Sequence, residues 1–334
     1  MLNKKFYLHF APAIIIYLLL GVLLLAITKS AASLYVFASL ALFEIAMSFD
    51  NAVINAKVLS TMPPVWQKIF IYLGIPVAVF VVRFLLPIAL VYLVTHLSLH
   101  QVLHAALNQP DVYKTALQQG YPLIAAFGAT FLFMLFASFL LQTKREITWW
   151  NWLEQHKIIK ILHNNLALKI ILLVLIFAIT FGITNNYEIL IAMSAGVGCF
   201  LLLHTAQQPC NIGSACKNMA FSGLRGFIYL EILDASFSLD GVLGAFAISN
   251  NIFVIMAGLG AGAVFVRSIT IYLLRNNTLQ KLRYLEHGAY YAIFVLATFM
   301  LLKTMWHIPE LLIASSSILI LLFAIYGSWR GSKV

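Results

Sequence analysis

About ten stretches of roughly twenty mostly apolar residues, joined by short polar connectors, restrict this chain to one solvent, the lipid bilayer. They run near 9–28, 32–58, 68–95, 121–141, 169–185, 188–206, 222–248, 251–275, 288–306 and 309–328. A helix of that length crosses the hydrocarbon core of a bilayer, which is about 30 Å thick. Backbone groups inside the core find no water, so each span must satisfy its own hydrogen bonds as a helix. Only 10% of the residues are charged and the mean hydropathy is +0.95, against about 25% charged in soluble domains. The expected fold class is therefore an all-α polytopic membrane protein, a single transmembrane domain over 1–334 with about 9–10 transmembrane helices. The apolar run Phe10–Thr28 is too long for the core of a typical signal peptide and is read as the first span.

The net charge of +10 does not point to nucleic acid, because the basic residues lie between apolar runs rather than in one patch. With the N-terminus inside and ten spans threaded, 16 of the 21 Lys and Arg fall on the inner side. Lys29, Lys114 and Lys303 fall outside, and Arg83 and Arg267 lie within spans. The positive-inside rule then places both termini in the cytoplasm of a cell inner membrane. The longest connector, 142–168, carries TWWNWLEQHKIIKIL and is expected to lie along the cytoplasmic interface as an amphipathic helix. Cys199, Cys210 and Cys216 match no zinc spacing and read as small apolar fillers.

Two segments repeat. EIAMSFDNAVINA begins at Glu44 and DASFSLDGVLGAF at Asp234, so that Glu44 meets Asp234, Ser48 meets Ser238, Asp50 meets Asp240 and Asn51 meets Gly241. Downstream, Gly74 and Arg83 match Gly258 and Arg267, and Leu117, Gly120 and Ala129-Thr130-Phe131 match Leu285, Gly288 and Ala297-Thr298-Phe299. Repeat 1 is expected over 32–141 and repeat 2 over 222–306. Two spans separate the three-helix units, which turns the second upside down. That arrangement is common in secondary transporters, whose substrate sites lie near the midplane between repeats.

Of the chain's 11 acidic residues, Glu44, Asp50, Glu231, Asp234 and Asp240 sit in the two motif spans. A lone carboxylate at mid-bilayer costs roughly 2.5–3.5 kcal/mol on insertion scales, so these groups need protons, arginines or a cation. On ideal helices Glu44, Ser48, Asn51 and Asn55 share one face, and Glu231, Asp234, Ser238 and Gly241 share the other copy's face. Asp50 and Asp240 fall about 120° away. Either they point to an arginine, or the helix unwinds beside Asn51 and Gly241 and brings them round. All donors are oxygens, which suits Mg²⁺, Ca²⁺ or Mn²⁺ rather than Zn²⁺, Cu²⁺ or Ni²⁺. A proton relay and a purely structural lock on Arg83 and Arg267 are the competing readings of the same acids. Ser48 and Ser238 have the further option of bonding back to their own helices. His96, His100 and His104 recur every four residues at the outer end of the third span, as a cation-capture stripe or an interfacial polar face. Glu286 and His287 are expected to be solvated. The chain contains neither a GxxxxGK[ST] nor an HExxH motif, which argues against an ATP-driven pump and a zinc protease.

At Glu44-x-x-x-Ser48-x-Asp50-Asn51 and Asp234-x-x-x-Ser238-x-Asp240-Gly241 the chain resembles the TerC family of integral membrane proteins. It looks most like a branch known only as a domain of unknown function, and is similar in plan to the LysE-type exporters. Arg83, Arg267 and Gly288 support the likeness, which spans roughly 32–141 and 222–328. The resemblance implies export of a divalent cation, manganese foremost, with Glu44, Asp50, Asn51, Asp234, Asp240 and Gly241 as site positions. Two departures stand out: Asp at 234 where the first copy has Glu, and an added acid, Glu231, opposite Ala41. The expected metal set is Glu44, Ser48, Asp50, Asn51, Glu231, Asp234, Ser238, Asp240 and Gly241, with Arg83 and Arg267 as ion-pair or gating residues. The chain is expected not to be an enzyme and to hold no covalent cofactor; the cation is its substrate. Expected partners are membrane lipid and the metal ion, then a homodimer or contact with the secretion machinery, and no nucleic acid. The alternative is a membrane-embedded factor that handles metal or assists secreted proteins without transport. A membrane enzyme acting on lipid is a third reading, for which no nucleophile with a paired base is evident.

Overall fold

The computed structural model describes residues 4–95, 97–141, 147–154, 156, 166–207, 219–276, 278–306 and 308–331. Every regular element among them is a helix. Among the described residues, seven helices are long and apolar enough to cross a membrane: His9–Thr28, Pro64–Leu93, Pro110–Leu140, Tyr187–His204, Ile252–Arg275, Leu285–Lys303 and Leu312–Arg330. The pair Ala31–Met47 and Phe49–Ser60, bent by 52°, makes an eighth. Helices Leu166–Thr184 and Met219–Ile248 occupy the remaining two expected spans. Arg225, Glu231, Asp234 and Asp240 set Met219–Ile248 apart from the apolar seven. The chain is an all-α, multi-pass membrane protein.

Several boundaries depart from the sequence reading for physical reasons. The span expected to start at 121 is the second part of Pro110–Leu140, which carries Pro122 in its interior. The Gly120-Tyr-Pro122 sequence reads as a start, yet a long apolar helix absorbs the one backbone bond that proline removes. His100 and His104 do not extend the third span. They lie exposed on a separate helix, Leu99–Asn108, whose Ser98 and Gln101 form a reciprocal capping box. His96 lies outside the described residues. Of the 142–168 connector, the described part contains the short helix Asn151–Glu154. Cys210 and Cys216 lie outside the described residues, and Cys199 is a half-buried free thiol in Tyr187–Gln207.

Two compact units make up the chain. The first comprises Met1–Tyr121 and Gln207–Thr278, the second Pro122–Ala206 and Leu279–Val334. In the first, helix Ile252–Arg275 packs most extensively, against Ala31–Met47, Lys4–Thr28 and Phe49–Ser60. Its Gly258-x-x-x-Gly262 spacing explains the closeness. A Cβ on Gly258 would lie 2.6 Å from Leu40 Cβ, and one on Gly262 would lie 2.5 Å from Glu44 Cβ and 2.8 Å from the Ala41 carbonyl. Small residues let membrane helices approach until dispersion forces and backbone dipoles act directly, since lipid offers no hydrophobic drive between helices. This contact fixes Glu44 against the face of Ile252–Arg275.

In the second unit, Ala126, Ile189 and Met193 form one apolar core, and Phe136, Phe139 and Tyr291 another. Thr130 Oγ1 donates to the Met193 carbonyl at 3.1 Å across this unit. The expectation that His287 is solvated fails here. The helix Leu285–Lys303 turns it inward, to 6% exposure. Its Nε2 lies 3.0 Å from the Ile147 carbonyl and 3.6 Å from Glu154 Oε2. Tyr291, one turn on, donates to Glu154 Oε1 at 3.0 Å. Glu286, on a different face, is half-buried.

Candidate functional site

The break in the first motif decides where its side chains go. Helix Ala31–Met47 stops at Ser48, and a new helix, Phe49–Ser60, starts at an angle of 52°. The unwinding expected beside Asn51 thus falls three residues earlier, at Ser48. It places Asp50 in the first turn of a helix, where the macrodipole favours a carboxylate. Asp50 Oδ1 accepts the Asn51 backbone N–H at 2.9 Å. Asp50 is buried, and its Oδ2 has no hydrogen-bond partner among the described residues. Neither arginine reaches it.

The second motif behaves differently. Met219–Ile248 runs unbroken through Glu231, Asp234, Ser238 and Gly241. The unwinding expected beside Gly241 is absent there. The backbone of Asp240 lies in this helix; its side chain is outside the described part of the structure.

Arg83 joins the two motifs. It is 5% exposed, and its Nη2 donates to Glu44 Oε1 in a short, charge-assisted bond. Its Nη1 lies 3.9 Å from Asp234 Oδ2 and donates to the Ala78 carbonyl at 2.8 Å. Ser48 Oγ donates to the same Glu44 Oε1 at 2.8 Å, one turn back on the helix it caps, to the side chain rather than to a backbone carbonyl. Asn51 Nδ2 donates to Asp234 Oδ1 at 2.7 Å. The positions paired by the repeat also face each other's acids: Asn51 touches Asp234, while a Cβ on Gly241 would sit 3.1 Å from Glu44 Oε2. Five of the expected residues, Glu44, Ser48, Asn51, Asp234 and Gly241, therefore converge with Arg83 at one place in the first unit.

Arg267 organises a second group. Its guanidinium donates to the carbonyls of Phe70 at 3.1 Å and Gly74 at 2.9 Å, stacks 3.8 Å from the Phe70 ring centre, and reaches Glu231 at 3.5 Å. A side chain at Gly74 would collide with that guanidinium and with Glu231. Glu231, the added acid, thus goes to Arg267 rather than to Glu44. Ser238 is buried, and its hydroxyl has no partner among the described residues. Between the two arginines lies a cavity of about 10 Å³, roughly the space of one water. Asn55, Ala78, Asp234 and Thr270 help to line it.

Among the described residues, no three His, Cys, Asp or Glu side chains gather as a ready-made metal centre. Glu44, Asp234 and Glu231 gather on guanidinium groups instead, and Asp50 stands apart from them. The buried oxygens Asp50 Oδ2, Asn51 Oδ1, Asn55 Oδ1, Glu231 Oε2 and Asp234 Oδ2 have no hydrogen-bond partner among the described residues. Four described carboxylates face two arginines, so with every group ionised two negative charges are left over. Sequence reasoning passed over Thr270 and Gly262; the glycine spacing signalled the second, and nothing local marks the first.

A family described as protein of unknown function (DUF475) matches residues 49–333, and the chain belongs to it. The match takes in Asp50, Asn51, Arg83 and the whole second motif. No curated protein and no solved structure matches the chain.

Proposed function

We propose that this DUF475 protein is a secondary transporter that exports a divalent cation, Mn²⁺ foremost and Ca²⁺ or Mg²⁺ as alternatives, across the cell inner membrane. The observation that carries this reading is the meeting of Glu44 and Asp234, one from each repeated motif, on a single buried arginine. Such a cluster exceeds what stability needs, because isolated buried ion pairs seldom add net stability. Its donor set is all oxygen, as hard cations require. Glu44 and Asp234 would be the principal ligands, with Asn51 and Ser48 orienting them. Asp50, Glu231, Ser238, Asp240 and Gly241 would complete or border the site. The TerC likeness and the repeated motif both favour transport by alternating access.

The test is flux of Mn²⁺, Ca²⁺, Mg²⁺ and Zn²⁺ into proteoliposomes under a pH gradient of either sign. We expect Mn²⁺ flux to exceed Zn²⁺ flux, and Glu44→Gln or Asp234→Asn to reduce it at least tenfold. Flux in both variants equal to wild type would overturn the assignment. The second reading is a metal-handling or assembly factor for secreted proteins that moves no ion. It draws on the small size of the cavity beside Arg83 and Arg267, about 10 Å³. Mn²⁺ binding with no flux, together with co-purification of a translocon, would favour it.

A further inference from the structure

The two arginines that the repeat pairs are held in different ways. Arg267 is fixed by two backbone carbonyls, a stacked ring and a glycine that leaves it room. Arg83 has one backbone anchor, the Ala78 carbonyl, and otherwise rests on carboxylates; its Nε has no partner among the described residues. It also sits in an unusual stretch. Val77–Leu85 is π-helical, within the span Pro64–Leu93. The segment is bounded by Pro76 and Pro87. Each proline removes one backbone N–H and crowds the carbonyl four residues earlier, which for Pro87 is the carbonyl of Arg83 itself. Widened turns of this kind are rare and frequent at functional sites.

We propose that Arg83 is a built-in competitor of the transported cation: guanidinium and metal ion take turns on Glu44 and Asp234. This inference rests on the transport reading above. The contacts of Arg83 support the turn-taking. Glu44 and Asp234 are the groups Arg83 engages, so its guanidinium occupies the carboxylate charge that a cation would have to take. When Arg83 withdraws, two carboxylates with two negative charges remain, which a single divalent ion balances and a monovalent ion does not. Arg83 thereby sets charge selectivity, and on its return it expels the ion. Its partner by repeat, Arg267, has no such freedom and holds Glu231 and the helix Pro64–Pro76 in place.

The experiment measures Mn²⁺ binding to purified full-length protein by calorimetry and by electron paramagnetic resonance of the free ion, alongside flux in liposomes. Arg83→Gln is expected to bind Mn²⁺ at least tenfold more tightly and to transport it at least tenfold more slowly. Arg83→Lys keeps the charge, and with it the fold, but cannot span two carboxylates. It is expected to bind three- to tenfold more tightly. Arg267→Gln, which removes a charge beside the same cavity but does not free Glu44, is expected to tighten binding clearly less than Arg83→Gln. Wild-type binding with no tightening in either Arg83 variant would overturn this inference and leave the transport reading standing. Equal tightening in Arg267→Gln would also overturn it, because the effect would then be one of general charge. Absence of Mn²⁺ binding in wild type and variants alike would bring down both.

Discussion

Glu44 shows how one side chain is made indispensable by its surroundings. Its carboxylate accepts from Arg83 and Ser48, its Cβ leans on Gly262, and Gly241 leaves room for its second oxygen. Neither Glu44 nor Arg83 would be tolerable alone: an unpaired guanidinium inside a bilayer is as costly as an unpaired carboxylate. Removing one member of a buried pair typically costs about 3–5 kcal/mol, whereas removing both can be nearly neutral. Glu44→Gln should therefore lower the detergent-solubilised melting temperature sharply, while Glu44→Gln with Arg83→Gln should recover at least half of the loss. A double variant as unstable as the sum of the two singles would mean that the residues are not energetically coupled. Added Mn²⁺ should raise the melting temperature of Arg83→Gln more than that of wild type, since a ligand that binds only the folded state stabilises by RT ln(1 + [L]/Kd), which grows as Kd falls.

Elements of secondary structure divide into those visible in the sequence and those that are not, and the division has physical causes. The apolar runs announce their helices because a bilayer permits no other use for them. The acid-x-x-x-Ser-x-Asp pattern exposed Glu44, Asp234, Ser48 and Asn51 because buried charge in lipid is too costly to be incidental. Local sequence did not reveal that the first motif breaks at Ser48 while the second runs straight through Ser238. The helix that breaks is the one on which Gly262 closes, at Ala41 and Glu44. The pairing of Arg83 across both motifs was equally hidden, as contacts 39 and 151 residues apart in sequence leave no periodic trace. By contrast the π-helical stretch had a readable sign, the two prolines that bound it. Pro87→Ala should let regular helical bonding spread back through Leu85, since proline inside a helix costs about 3 kcal/mol relative to alanine. The expected outcome is a higher melting temperature with cation flux reduced several-fold. A variant that transports like wild type would remove the π-helical segment from the mechanism.

At the scale of the whole molecule, basic residues and the repeat constrain orientation together. If three spans form a unit and two spans intervene, the copies must insert in opposite senses, and only one assignment keeps Lys and Arg predominantly inside. Lys57 closes the helix Phe49–Ser60, and Lys281 lies in the short helix Thr278–Lys281. Lys29 and Lys303, at the far ends of Lys4–Thr28 and Leu285–Lys303, belong to the opposite side by the same count. Once Cys199, Cys210 and Cys216 are replaced by serine, single cysteines at 29, 114 and 303 should react with a membrane-impermeant maleimide applied from outside intact spheroplasts. Cysteines at 57 and 281 should react only after permeabilisation. Labelling of 57 or 281 in intact cells would reverse the topology, and labelling of 29 and 303 on opposite sides would break the span count itself. Either result bears directly on direction of transport, because an inverted pair of motifs can present its acids alternately to the two sides only if the units that carry them are in fact inserted in opposite senses.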